Sequence, residues 1–499
     1  MRRWLIKALT LLLGLGPFSV LAVQAGEPSS EPASVANPPR VTAKVTPGGG
    51  SSPAADTVAL QQAIDACARI GGGRVEVTAG TYHVTPLQLR SNVDLHLDAG
   101  ATLLFSRNFD DYPLAWVDDG NGPEAGCRSP IWGEGLANVS ITGAGIIDGQ
   151  GDAWRPVKKE KLSASEWGEL VNRGGVTNAK HTEWYPAAIV RDGREALKKL
   201  AEKGKDSLDA YVPFRPLLRP NLIRLVDCKN VTLDGVTFRN SASWNVHLAL
   251  CDQITVHHVT IFNVAWAQNG DGIDLDSCRD VMMTDSEVNA GDDGICLKSG
   301  MNEAGRRRAR PTENVTIERC TVGTGHGGVV IGSEMSGGVH HVNVSDCTFK
   351  GTENGLRFKS TRGRGGVVED VHVNNIKMSD IHGVAILFDL FYFANGGSPT
   401  KTVPPVSIET PAFRDFQLSN ITCNGAKLAL QIRGLPEMPL QNITLDNVHI
   451  AAQSAGFIVD ADDITCRDVH IQASDGSLVR HERTKDLKVS DCTGFEPVQ

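Results

Sequence analysis

The sequence predicts an all-β fold, a single right-handed parallel β-helix with an N-terminal capping helix. Three observations lead there. A short phrase recurs, as "NVTLDGVTF" from Asn230, "QITVHHVTI" from Gln253, "DVMMTDSEV" from Asp280, "NVTIERCTV" from Asn314 and "HVNVSDCTF" from His341. It continues as "DVHVNNIKM" from Asp370, "NITLDNVHI" from Asn442, "DITCRDVHI" from Asp463 and "DLKVSDCTG" from Asp486. The spacing lies mostly in the twenties to thirties, the period of a solenoid. Within each phrase apolar and polar residues alternate, the two-residue period of a strand with one buried face. Finally, four glycines, Gly272, Gly294, Gly328 and Gly355, align a second strand on successive coils. Length alone suggests about three domains; the repeat replaces them with one elongated domain.

The elements follow in order. Met-Arg-Arg, an apolar run from Leu9 to Val20 and small residues at Val23 and Ala25 make the pattern of a secretory signal over residues 1–25. The run is too short for a bilayer span of ~20 residues, and no later stretch competes as one. An exported protein, periplasmic or secreted, is expected, with no membrane partner. Residues 26–55, rich in Pro, Ser, Ala and Gly, read as a flexible linker. The domain is then expected over 56–499. It opens with "DTVALQQAIDACARIGGG", where Asp56 is the expected N-cap and Leu60, Ala63, Ile64 and Cys67 share one helical face. Such a helix covers the open edge of the first coil. Strands follow in "GRVEVTAGTYHV" and "NVDLHLDAGATLLF".

Two stretches break the alternation. The insertion at about 152–215 gains Lys, Glu and three Trp residues and predicts a helix around Glu195 to Lys203, while Phe391 to Phe413 is Pro-rich. Eleven cysteines in an exported chain would ordinarily suggest disulfides. Here Cys320, Cys347 and Cys492 take the slot of Val236, Val259 and Val448, and Cys228, Cys251 and Cys278 each precede a repeat start by two residues. Buried free thiols are therefore favoured, with a disulfide at Cys127 or Cys423 left open. The Asn-X-Ser/Thr phrases read as repeat starts rather than glycosylation sites. A net charge of -9 argues against nucleic acid as a partner.

In the glycine frame, Ile273, Ile295, Val329 and Leu356 share one apolar slot, and Leu275, Leu297, Ile331 and Phe358 another. The intervening positions must face out. There Asp271 and Asp293 share a slot, Asp292 precedes Asp293, and His326 takes the slot of Asp292 one coil on. Asp274, Cys296 and Arg357 form one further column, and Asp276, Lys298 and Lys359 another. With adjacent strands ~4.8 Å apart, these groups converge. Crowded carboxylates raise at least one carboxyl pKa, so one group can hold a proton for a leaving oxygen while another activates water. Two blander readings compete: Asp-Gly is a common turn pair, and clustered Asp residues suit calcium. Lys298, His326, Arg357 and Lys359 in the same patch weigh against the metal.

Asn269-Gly270-Asp271, Asp292-Asp293, Gly325-His326-Gly327 and Arg357-Phe358-Lys359 resemble the four motifs of glycoside hydrolase family 28, the polygalacturonases, in the family's order from about Asp56 to the C-terminus. Gly270 and Phe358 depart from the family's Thr and Ile. The resemblance implies a pectin lyase-like solenoid that hydrolyses α-1,4 bonds of polygalacturonate with inversion and without metal or other cofactor. It also implies Asp292 as general acid, Asp271 and Asp293 as the pair acting on water, His326 as a residue tuning the acid, and Arg357 with Lys359 as the grip on a substrate carboxylate. Lys298 joins that grip because it shares the column of Lys359. The partner is then an acidic polysaccharide or oligogalacturonide, which also accounts for Arg306, Arg307, Arg308, Arg310, Arg362 and Arg364, although solvated loop charge serves for at least half of the run from Arg306 to Arg310. "GHGGVVIGSEMSGG" and "STRGRGGVVED" resemble the bacterial exo-acting branch, and the insertion is expected to close one end of the cleft. Its Trp154, Trp167 and Trp184 either stack on sugars or form a small core. A monomer is expected. Rhamnogalacturonan or xylogalacturonan hydrolysis, a β-helix lyase and a non-catalytic glycan-binding β-helix are the rival readings, since fold alone never fixes function.

Overall fold

The structure is a computed structural model that describes residues 41–47, 53–118, 121–204, 207–392 and 403–498. The expected signal at 1–25 lies outside the described residues, as does most of the expected linker. Its later part does not behave as a linker: Val41–Val45 is a strand paired in parallel with Gly73–Val77. "VTAKV" alternates apolar and polar residues like any other edge strand here, so it adds a rung to the sheet. The helix also starts earlier than expected, at Pro53–Arg69. Asp56 therefore sits in its first turn rather than at the N-cap, and its carboxylate accepts the N–H of His83 at 2.9 Å. Leu60, Ile64 and Cys67 are buried against the first coil, as the helical spacing requires.

Parallel pairing in register joins 31 strands into one continuous sheet, coiled as a right-handed parallel β-helix. What bends the chain at each corner is visible in the repeat. The first residue of all nine phrases has a positive φ, from 52° at Asn442 to 58° at Gln253. Five residues later a second left-handed residue follows, among them Gly235, Asp285, Asn447 and Asp468. Asn, Asp and Gly tolerate this conformation better than other residues, which explains why they punctuate the phrases. Stacked corner side chains also bond from coil to coil, as Asn230 to Asn138 and Asn138 to Asn92, each at 2.8 Å. The Asn-X-Ser/Thr phrases are thus corner residues.

The ladder that matters for chemistry runs through Ile131–Glu134, Ile223–Val226, Val246–Ala249, Ile273–Asp276, Asp293–Lys298, Gly327–Ile331 and Leu356–Lys359, each pairing with the next. Ile273 pairs with Ile295, Ile295 with Val329 and Val329 with Leu356, all essentially inaccessible to solvent. Phe358 extends the neighbouring column inward, its ring 4.7 Å from Phe388 and 5.1 Å from Phe416. The glycines before these strands are required by close packing more than by a turn. A Cβ on Gly272 would stand 2.5 Å from the Gly294 carbonyl oxygen, and one on Gly294 2.8 Å from that of Gly327.

All eleven cysteines are free, and only Cys492 is partly accessible. The insertion folds on its own small core. Val157–Lys158, Val176–Thr177 and Glu183–Tyr185 form a three-stranded antiparallel sheet, with helices Ala164–Asn172, Ala188–Asp192 and Arg194–Glu202 around it. Trp167 and Trp184 pack with Val157, and Trp154 packs edge-on against Phe109 and Tyr112. The three tryptophans are therefore core residues, unavailable to sugar. No described helix is long and apolar enough to cross a membrane.

The corner geometry is testable at Gln253, whose side chain is exposed while its φ is 58°. Gln253→Gly is expected to raise stability by about 1 kcal/mol, and Gln253→Val to lower it. Thermal unfolding of both variants checks this; shifts in the same direction would contradict the assignment of strain to that corner.

Candidate active site

The site forms where three strands of this ladder begin. Asp271 lies just before Ile273–Asp276, Asp293 opens its own strand with Asp292 before it, and His326 precedes Gly327–Ile331. Backbone bonds fix the stacking: Gly272 N–H donates to the Asp293 carbonyl at 2.9 Å and His326 N–H to that of Asp292 at 2.6 Å. As a result one carboxylate oxygen from each of Asp271, Asp292 and Asp293 lies within 4.8 Å of the others.

Three like charges at that distance need compensation, and each acid receives a different one. Asp293 is clamped by both its oxygens, Oδ1 at 2.7 Å from Arg357 Nη1 and Oδ2 at 2.6 Å from Lys359 Nζ. Burial opposes its ionisation, but the Lys359 ammonium and the Arg357 guanidinium prevail and hold its pKa far below the usual carboxylate range. Asp271 goes the other way: burial and the neighbouring Asp274 carboxylate raise its pKa well above normal, against the pull of Lys298. Asp274, wholly buried, is pushed up to about 7 by burial, again with Lys298 opposing. Asp292 is the most accessible of the three site acids and meets His326 Nδ1 at 2.9 Å from its Oδ1. That bond raises the imidazole pKa more than burial lowers it.

Lys298 departs from the sequence reading. It is 4% exposed, with Nζ at 3.0 Å from Asp274, 3.6 Å from Asp271 and 3.8 Å from Glu334, beneath the Trp244 ring at 3.7 Å. So enclosed, it is ion-paired with the acids and presents little surface. Arg357 and Lys359, at 8% and 4% exposed, are likewise engaged by Asp293, and the Tyr392 ring lies 4.7 Å from the Lys359 ammonium. The outward columns thus face away from the coil core yet are roofed by residues from elsewhere in the chain. The arginine run is structural: Arg306 binds Gly363 and Glu409, Arg308 Asp276 and Ser277, Arg310 Asp252, Arg362 Glu437 and Arg364 Glu334. Arg307 is solvated beside Glu303.

Sequence reasoning expected the insertion beside the cleft but not which of its residues line it. Asp292 and His326 sit at one side of a cavity of about 580 Å³ whose opposite side is the insertion, with Lys158, Lys161, Arg191 and Arg194. Trp266 and Asn269 complete the floor, and Arg219 Nη2 holds the Asn269 side chain at 2.8 Å. The only available signal was the gain of Lys in the insertion. The arrangement offers a protonatable couple, Asp292 with His326, beside two buried acids of opposite proton affinity. That is equipment for acid and base catalysis on either side of a bound group.

Comparison with known proteins agrees. Residues 216–456 match the sequence model of Glycosyl hydrolases family 28. An endo-polygalacturonase of Pectobacterium carotovorum subsp. carotovorum is 30% identical over 458 residues, spanning 90% of this chain and 96% of the relative. An exo-poly-alpha-D-galacturonosidase of Dickeya chrysanthemi is 29% identical over 405 residues, 77% of this chain and 62% of that protein. Among solved structures, a family 28 exopolygalacturonase of Yersinia enterocolitica is similar at a TM-score of 0.65 and 26% identity, covering 89% of this chain and 76% of its own. A polygalacturonase of Erwinia carotovora ssp. carotovora gives 0.59 and 27%, over 84% and 96%. With the four motifs gathered at one end of a single ladder and a relative matched along nearly its whole length, the chain belongs to family 28 of the glycosyl hydrolases.

Proposed function

We propose that the protein is an exported polygalacturonase that hydrolyses α-1,4-galacturonosidic bonds with inversion, from chain ends. The observation that carries this reading is the meeting of Asp271, Asp292 and Asp293 within 4.8 Å, with Asp292 joined to His326 at the edge of a cavity. In the proposed reaction Asp292 gives its proton to the glycosidic oxygen as the bond to the anomeric carbon breaks. A water attacks that carbon from the opposite face, and its proton passes to a buried carboxylate. The proton affinities divide the labour. Asp293, permanently ionised with both oxygens bonded, is a weak base that anchors the water; Asp271, with its raised affinity, is the stronger acceptor once ionised.

The acid separation needs comment. Nearest oxygens within 4.8 Å are closer than the ~6.5–9.5 Å carboxyl spacing of most inverting glycosidases and nearer the ~5–5.5 Å of retaining ones. Inversion is favoured here because Asp271 and Asp293 are 3% and 2% exposed. Asp293 has both oxygens bonded to Arg357 and Lys359, and carboxylates so enclosed are poorly placed to attack an anomeric carbon directly. Exo action is supported by the insertion, which walls one side of the cavity beside Asp292. Endo action is the second reading, favoured by the 30% identity to endo-polygalacturonases.

A product time course on polygalacturonic acid tests the whole. Mono- or digalacturonate from the first minutes, without ultraviolet absorbance of a double bond, is expected. Early longer oligomers would establish endo action, an unsaturated product would establish a lyase, and release only from rhamnogalacturonan or xylogalacturonan would change the substrate. Proton NMR of the first product is expected to show the β-anomer; an α-anomer would establish retention. Asp292→Asn is expected to lower kcat ~10²–10⁴-fold, and unchanged turnover would remove it as the acid.

The pH profile tests the His326 assignment. His326 holds its proton below its raised pKa and loses it as pH rises through that value. The alkaline limb of kcat/KM is therefore expected above ~6.5, the ordinary imidazole value, and His326→Gln should move it to lower pH. A limb that does not respond to the substitution would assign it to another group.

A further inference from the structure

The cations next to the acids are already committed. Asp271, Asp274, Asp293 and Glu334 are met by Lys298, Arg357, Lys359 and Arg364, all at ion-pair distance. Each of these cations already faces a carboxylate. The wall contributed by the insertion is different. Lys158, Lys161 and Arg194 are exposed, and no carboxylate of the described residues lies within ion-pair distance of any of them. Arg191 completes the set, paired at 2.7 Å with Asp192. The one acid on this wall, Glu183, accepts the Tyr185 hydroxyl. Like charges gathered on one concave face repel each other in the free protein, and an entering anion relieves that repulsion.

The wall is also built to hold its shape. Lys158 follows buried Val157 on a strand whose neighbour carries Trp184, and Lys161 ends the single turn Lys159–Lys161. Both lysines thus stand on the insertion's own core and line the same cavity of about 580 Å³ as Asp292 and His326. None of these cations falls in residues 216–456, the part matched by the family.

We infer that the insertion supplies a carboxylate-binding subsite, in which Lys158, Lys161 and Arg194 receive the carboxylate of the uronic acid unit adjoining Asp292. The inference rests on the proposed action on galacturonides and names which residues select the acid sugar over its neutral counterpart.

Calorimetric binding of trigalacturonate to Asp292→Asn protein, with and without Lys158→Gln and Lys161→Gln together, tests it. Both lysines are exposed, so the double variant is expected to fold as the parent does. Removing both is expected to weaken binding about ten-fold and to flatten its dependence on salt. The neutral trisaccharide, with each carboxyl reduced to an alcohol, should bind weakly and alike to both proteins. An unchanged Kd for trigalacturonate, no binding to the parent, or equal affinity for the neutral sugar would overturn the subsite. Failure of the unsubstituted enzyme to cut polygalacturonate would instead overturn the proposed activity, while the binding data continued to report on the subsite.

Discussion

The in-register hydrogen bonding of one coil to the next is the constraint from which the rest of the structure follows. Strands on adjacent coils cannot approach or retreat by much from ~4.8 Å, so whatever residues share a slot are held at that spacing. For leucines and valines this makes a continuous core. For Asp271 and Asp293, whose strands are tied by the bond from Gly272 N–H to the Asp293 carbonyl, it makes an enforced meeting of like charges. Those acids can separate only if the ladder breaks. The site's cost is thus carried by the core columns beneath it, Ile273 through Leu356 on one side and Leu275 through Phe358 on the other.

Enforced proximity explains the unusual company each acid keeps. A buried charge without a partner is far more costly than a paired one, and the same register that gathers the acids also supplies their partners. Arg357 and Lys359 reach Asp293 from two coils away, and Lys298 reaches Asp271 and Asp274 from the next. Because the pairings differ, proton affinities differ too, with Asp293 low and Asp271 high. Two acids with the same side chain are thereby given different chemical tasks by their counter-ions.

What could be read from the sequence divides along the same line. Glycine alignment and two-residue alternation revealed the slots, hence the core columns, the free stacked thiols and the convergence of Asp271, Asp292, Asp293 and His326. The corner rule was visible in the Asn and Asp that open most phrases, although its cause lies in their left-handed backbone. Burial of the outward columns was not legible, because their cover comes from Trp244, Glu334 and Tyr392, which obey no repeat. The enclosure of Lys298 went unseen for that reason: column position gives direction, while access depends on what lies above. The strand Val41–Val45 was hidden by the Pro, Ser and Gly residues around it, which describe the neighbourhood rather than those five residues.

The insertion shows how such a fold can alter what it binds while keeping its chemistry. It leaves the coil after Ile146–Asp148 and returns before Ile223–Val226, yet the flanking register is undisturbed. Ile146–Asp148 still pairs with Thr237–Arg239, and Ile131–Glu134 with Ile223–Val226. A long excursion at a corner costs little more in closure entropy than a short one, and it meets none of the slot-to-slot packing that a change within a strand would disturb. Substitution at Asp293 or Arg357 would reach across several coils, because each is part of a paired column. Substitution at Lys158 or Lys161 touches only the wall. The proposed reaction and subsite would thus place proton transfer on the rigid ladder and the choice of ligand on an appendage with a core of its own.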